Sequence, residues 1–166
     1  GVDKTSVEGV ADTLYRLPNM SVGLSDFKSQ ITNLWWRSVG HTHSAFAMES
    51  LLDMVAAESG QDPVELRLSL LDRSDDKQRR MAGVIEAARE FAGWQKGDKR
   101  GFAVHFSFNS WVAVVADVSV DGNRVHVDKL HMAVDCGVAV NPDVVRAQLE
   151  GGAGYALGAV LRNEIT

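Results

Sequence analysis

Residues 102–135, FAVHFSFNSWVAVVADVSVDGNRVHVDKLHMAVD, decide the fold. Phe102, Val104, Phe106 and Phe108 alternate with Ala103, His105 and Ser107, the period of a strand that buries one face. Trp111 to Val120 is a second, valine-rich strand. Asp121-Gly122-Asn123 is a hairpin signal, because glycine and asparagine accept the positive φ of a tight turn. Arg124 to Val134 then reads as the returning strand, and a shift of apolar parity between Val127 and Leu130 predicts a bulge in it. The stretch is an antiparallel meander.

Upstream, the period changes to that of helices. From Ser44 onward, Ala47, Met48, Leu51, Leu52 and Val55 form the stripe of an amphipathic helix that Gly60 stops. Asp62-Pro63-Val64-Glu65 combines a capping residue, a proline at the first helical position and a capping-box glutamate, so a second helix is expected from there to about Leu71. A third is expected over Asp76 to Ala92, with Met81, Val84, Ile85, Ala88 and Phe91 or Ala92 on one face and Gly93 closing it. Before these, Leu14-Tyr15-Arg16-Leu17-Pro18-Asn19 reads as a chain end and turn, and Ser21 to Ile31 as one or two short strands. Downstream, Asn141-Pro142 repeats the cap-and-proline start for a helix to about Leu157. The fold class is α+β, a β-meander packed against amphipathic helices. Three regions are expected: 1–34 with short strands, 35–93 with a loop and helices, and 94–166 with the meander and a glycine-rich helix.

Bulk properties narrow the function classes. Hydrophobic residues make up 45% and charged residues 23%, values of an ordinary globular chain rather than a disordered one. Net charge is −5 and the basic residues are scattered among acids, which excludes the one-sided basic field of a nucleic-acid surface. The single cysteine, Cys136, excludes an internal disulfide and a CxxC metal site. No run approaches the roughly 20 apolar residues of a membrane helix. The chain opens on Gly1 without Met and closes just after an apolar run, so an excised piece of a longer protein is expected, whose uncovered apolar faces would self-associate.

Several residues are candidates for chemistry. Trp35-Trp36-Arg37-Ser38-Val39-Gly40-His41 precedes the first strong helix, where free N–H groups and the helix dipole favour anions. Arg37 adds a planar fork of donors for a phosphate or a polar heterocycle edge; the alternative is an aromatic anchor beside a surface arginine. His41-Thr42-His43 lacks a third ligand for zinc and reads as polar residues at a helix start. His105 lies on the polar side of its alternation, toward solvent or an interface. Cys136 is either a small core residue or a thiol activated by the following helix, and its apolar flanks favour the first. Gly151, Gly152 and Gly154 are costly inside a helix and make sense where a backbone or flat ligand comes close. Gln148, just before them, carries both donor and acceptor groups and suits either a ring edge or solvent.

Three segments together resemble the molybdenum hydroxylase family (xanthine dehydrogenase, aldehyde oxidase). They are in particular similar to the isoquinoline 1-oxidoreductase beta subunit and to molybdopterin-binding aldehyde dehydrogenase large subunits. Leu14-Tyr15-Arg16-Leu17-Pro18-Asn19 is similar to the family's Tyr-Lys/Arg-Ile/Leu-Pro-Asn segment. Trp36-Arg37-Ser38-Val39-Gly40 with Ala45-Phe46-Ala47-Met48-Glu49-Ser50 resembles its Phe-Arg-Gly-Phe-Gly loop and following helix. Asp135-Cys136-Gly137 through Asn141-Pro142 to Gln148-Leu149-Glu150-Gly151-Gly152 resembles its strand-to-helix segment ending Gln-x-Glu-Gly.

The resemblance implies a part of a molybdopterin-binding domain, with Trp36 and Arg37 approaching the cofactor and Gln148 hydrogen-bonding it. It implies a parent oxidoreductase acting on aldehydes or N-heterocycles with water as oxygen source, and a small 2Fe-2S partner subunit. Val39 stands where the purine enzymes place a stacking aromatic, and no arginine lies between Val2 and Leu14, which argues against purines. The family's catalytic glutamate would fall after Thr166, so no catalytic residue is assigned here, and this chain alone is expected to be inactive and to bind no cofactor. A stand-alone interaction domain is the alternative.

Overall fold

The structure is a computed structural model describing residues 3–25, 27–32 and 35–163. It divides into two compact units, residues 1–135 and 136–166, each described by itself.

In the first unit a short 3-10 turn (Lys4–Ser6) precedes helices α1 (His41–Ser59), α2 (Pro63–Ser69) and α3 (Asp76–Ala92) and strands β1 (Gly101–Ser107), β2 (Ser110–Asp121) and β3 (Arg124–Asp135). The strands form one antiparallel sheet in the order β1-β2-β3. The alternation of β1 works as expected: Phe102 and Val104 are buried, facing the same side as Trp111, Ala113 and Val115 of β2. That side is closed by α3, which lays down Met81, Ala82, Val84, Ile85 and Ala88, with Met48, Leu52 and Ala56 of α1 and Val64 and Leu66 of α2 joining the same core. At roughly 1.5–3 kcal/mol per fully buried large apolar side chain, this layer is the main stabilising contribution.

Helix α3 runs over the expected residues, with Asp75 accepting from the Gln78 amide and Gly93 left-handed at φ 62. Asp62 caps α2 by accepting from the Val64 and Glu65 amides, and the helix ends at Ser69. Glu65 does not reach back to complete a capping box; it pairs with Arg89 of α3 at 2.6 Å. The bulge is present: Asp117 opposes Lys129 but Val118 opposes Val127, leaving Asp128 as the extra residue.

Four local expectations are corrected. Residues 21–25 and 27–31 carry no strand; Val22, Leu24, Phe27 and Ile31 are all exposed and offer a strand nothing to pack on. Helix α1 begins at His41, three residues early, and its core face is Ser44, Met48, Leu52 and Ala56, whereas Leu51 and Val55 are exposed together with Phe46 and Met54. Phe108 does not continue the buried face of β1. It forms with Asn109 a two-residue turn in which both are left-handed (φ 49 and 58), closing Ser107 on Ser110. In the second unit α4 (Pro142–Leu161) is four residues longer than expected, capped by Asn141 on the Asp143 and Val144 amides.

One buried polar node ties the elements together. Arg67 of α2, fully buried, donates to a Glu49 carboxylate oxygen and to the Glu49 carbonyl, each at 2.9 Å. Glu49 also accepts from the Tyr15 hydroxyl and from the Val104 amide, both at 2.9 Å. The Tyr15 segment is thereby fastened to α1, α2 and β1, which is more than a chain end and turn.

Candidate functional site

The loop before α1 has an unusual backbone. Ser38 and Val39 are both left-handed, at φ 63 and 52. For a β-branched residue this conformation costs about 1–2 kcal/mol, so the surrounding bonds must over-determine it. They do. The Val39 amide donates to the Trp36 carbonyl at 3.2 Å, the His41 amide to the Ser38 carbonyl at 3.0 Å, and the Thr42 hydroxyl to the Arg37 carbonyl at 2.5 Å. Gly40 then starts α1 with no side-chain cap and no acid in the first turn. It packs so closely that a Cβ would land on the Thr5 carbonyl oxygen and 2.8 Å from Glu8 Cγ, so only glycine fits.

Trp35 and Trp36 are exposed (71% and 48%), and so is Arg37. With Val39, Thr42 and His43 and with Asp3, Thr5 and Ser6, the two tryptophans line an open cleft of about 560 Å³. Neither ring is therefore a buried aromatic anchor. The cleft offers aromatic faces, hydroxyls and the first turn of α1.

Beneath the loop lies a contact that local sequence patterns do not reveal. His41 Nδ1 and His105 Nε2 are 2.8 Å apart, bridging α1 and β1. Burial first, and His41 beside it second, push His105 down to about 4, so it is neutral at pH 7. His41 is itself buried, its Nε2 lying 3.9 Å from Glu8 Oε2, while Glu8 Oε1 accepts from the Gly40 amide at 2.6 Å. The Phe108 ring sits over His41 with centroids 6.0 Å apart. So His41 is more than a polar residue at a helix start, and His105 faces a partner inside the chain rather than solvent. Sequence reading misses Glu8 and Phe108 altogether. The one available signal is that His105 faces away from the core on an otherwise apolar strand.

In the second unit, Gln148 is exposed on α4, between the Asn141 cap and the glycines. A Cβ built at Gly151, Gly152 or Gly154 meets nothing within 4 Å among the described residues. The close neighbour that these glycines call for is therefore not supplied by the described residues. Cys136 is half-buried rather than a buried core residue. Among the described residues no group of three or more His, Cys, Asp or Glu is placed to hold a metal ion, and no helix is long and apolar enough to cross a membrane.

Each unit offers polar groups of its own. In the first unit Arg37 suits an anionic group, although the Gly40 and His41 amides at the start of α1 are already taken by Glu8 and by the Ser38 carbonyl. In the second unit Gln148 suits a ring edge with both donors and acceptors, and the open space at the three glycines suits a planar group. Taken unit by unit, the chemistry of these groups is compatible with parts of a pterin-type cofactor: its anionic end in the first unit and its polar ring edge in the second.

Two family models, each described as a molybdopterin cofactor-binding domain, match residues 45–166 and residues 4–70. The chain is 33% identical to a nicotinate dehydrogenase subunit of Pseudomonas putida, over 99% of this chain and 15% of that protein. It is 29% identical to the beta subunit of isoquinoline 1-oxidoreductase of Brevundimonas diminuta, over 91% of this chain and 20% of that protein. It is 30% identical to a membrane-bound aldehyde dehydrogenase (pyrroloquinoline-quinone) of Gluconacetobacter polyoxogenes, over 76% of this chain and 19% of that protein. The chain thus spans 15–20% of the length of these relatives. With an α+β fold and a family match over most of its residues, the chain belongs to the molybdopterin cofactor-binding domains of the molybdenum hydroxylase family.

Proposed function

We infer that this chain supplies two edges of the molybdopterin pocket in a subunit that oxidises or hydroxylates aldehydes or N-heterocycles, with water as the oxygen source. The observation that carries the reading is the doubly left-handed Ser38-Val39 turn, which sets the exposed Trp36 and Arg37 just before the start of α1. Arg37 holds the anionic end of the cofactor and Trp36 covers one face of it. Gln148 pairs with the polar ring edge. The cofactor, when bound, supplies the two-electron redox centre. The chain's own residues bind it, orient it and exclude water from its edge.

The substrate class rests on the relatives' names, which refer to nicotinate, isoquinoline and an aldehyde. Val39 supports a substrate other than a purine, since it offers no aromatic face for stacking. Electrons leave through a small 2Fe-2S partner subunit in this reading. In this reading the chain by itself, spanning 15–20% of the length of its relatives, holds neither cofactor nor activity.

The test is made in the full subunit that contains this segment. Arg37→Ala and Gln148→Ala should each lower molybdenum and pterin content per protein by about tenfold, the usual scale for losing a charged or bidentate hydrogen-bond partner. Unchanged content in both variants would remove the proposed roles. For the isolated chain, metal analysis should find no stoichiometric molybdenum; finding it would show that the pocket needs nothing further.

A further inference from the structure

We propose that His105 is a positioning residue: through His41 and Glu8 it latches the Trp36–Gly40 turn onto the sheet. This rests on the reading of that turn as a cofactor edge, but the latch itself is a property of this chain alone. The path is continuous. His105 leaves the outer face of β1 and meets His41 Nδ1 at 2.8 Å. His41 is the first residue of α1, with Glu8 Oε2 3.9 Å from its other ring nitrogen. Glu8 turns its second oxygen to the Gly40 amide at 2.6 Å, the residue that ends the strained turn. Two glycines make room for it. Gly40 excludes a Cβ against the Thr5 carbonyl, and Gly9, at φ 81, would put one against Ser44 and 3.0 Å from His41 Nδ1. Phe108, at the hairpin tip, lies tilted beside His41 with ring centroids 6.0 Å apart, in a left-handed conformation that aromatic residues rarely adopt. These placements cost free energy, and what they have in common is contact with the one helix start that carries Arg37.

A shared hydrogen between two imidazoles requires one of the facing nitrogens to be bare. The pair is therefore open to pH. The charged groups beside it are Glu8 at His41 and Asp12 at His105, while Glu49 and Tyr15, which line the same small cavity, are bonded to each other, with Glu49 also held by Arg67. Asp12 lies beside His105 and Glu8 beside His41, while two protonated rings at 2.8 Å repel. Acidification toward pH 4 should open the latch.

Amide hydrogen exchange on the complete chain tests this, after correction for intrinsic rates. His105→Ala should speed exchange of the Gly40 and His41 amides about tenfold while the α3 amides of Met81 to Ala88 keep their protection. His105→Gln, whose amide reaches the same position as Nε2, should restore protection to within about threefold of the original. Normal protection at Gly40 and His41 in a folded His105→Ala chain would overturn the latch. If His105→Ala also loses α3 protection, His105→Leu decides: an apolar side chain that protects the turn as well as histidine does would equally overturn it. Should the latch hold while Arg37→Ala leaves pterin content unchanged, it is the functional reading of the turn that fails, not the latch.

Discussion

At the scale of single residues, the interior of the first unit depends on a buried ion pair. Arg67 is fully buried, and Glu49 is its main charge partner there; Asp53 adds a second carboxylate at 2.8 Å from a half-exposed position. Removing one partner of such a pair leaves an uncompensated charge, so Glu49→Ala should cost about 3–5 kcal/mol in denaturant unfolding. Glu49→Gln, which keeps a donor-acceptor group against Tyr15 and Val104, should cost less. A loss below about 1 kcal/mol for Glu49→Ala would show that Asp53 takes over. His105 gives a second prediction, with a definite sign. Its folded value near 4 lies below the unfolded value of 6.5, so between these limits the unfolded chain binds more protons. Stability is therefore full above pH 6.5, falls as pH drops from 6.5 toward 4, and levels off for this group below that. His105→Gln should flatten that slope in thermal unfolding measured from about pH 7 to pH 4.

At the scale of elements, caps and turns carry measurable amounts. Asp62 accepts the first amides of α2 and also the Trp94 indole N–H at 3.1 Å. Asp62→Ala removes a cap worth about 1 kcal/mol and leaves a buried indole donor unpaired at roughly a further 1–3 kcal/mol, so a total loss of about 2–4 kcal/mol is expected by chemical denaturation. The Phe108-Asn109 turn runs the other way. A two-residue hairpin with both residues at positive φ favours Asn-Gly, so the double change Phe108→Asn and Asn109→Gly should raise the melting temperature unless the Phe108 contact with His41 outweighs the relief of strain. A lower melting temperature would assign that contact a stabilising value larger than the strain.

These elements also show where reading the chain succeeds. Helix α3 is legible end to end because its apolar stripe and closing glycine agree with each other. The bulge at Asp128 is legible because a parity shift has only one cheap backbone solution. Helix α1 is legible as a helix but not in its facing: Phe46, Leu51, Met54 and Val55 are apolar yet exposed, so the apolar pattern overstates the core. The Phe108 turn hides because phenylalanine is the wrong residue type for it. In the candidate site, the position of Trp36 and Arg37 before a helix start can be read locally. The bonds that shape that turn cannot, since Glu8 reaches Gly40 across 32 residues and His105 reaches His41 across 64. Local periodicity carries no information at such separations.

At the scale of the whole molecule, the apolar surface is the main feature. Phe27, Ile31, Trp35, Phe46, Met54 and Phe91 are all more than half exposed, with a net charge of only −5 to keep copies apart. Self-association is expected, seen as an apparent mass that rises with concentration in light scattering, and Phe46→Glu should weaken it. A strict monomer at high concentration would show that these residues are too dispersed to form one adhesive patch.

The glycines of α4 give a test of opposite signs. Each costs about 1 kcal/mol of helix propensity against alanine, and around Gly151, Gly152 and Gly154 the described residues leave the Cβ position empty. Converting them to alanine should therefore make the isolated chain more helical by circular dichroism. In the complete subunit the same three methyl groups should instead lower pterin content, if a flat ring lies against that stretch. A substitution that stabilises the part and disables the whole marks a surface shaped for something the part does not contain.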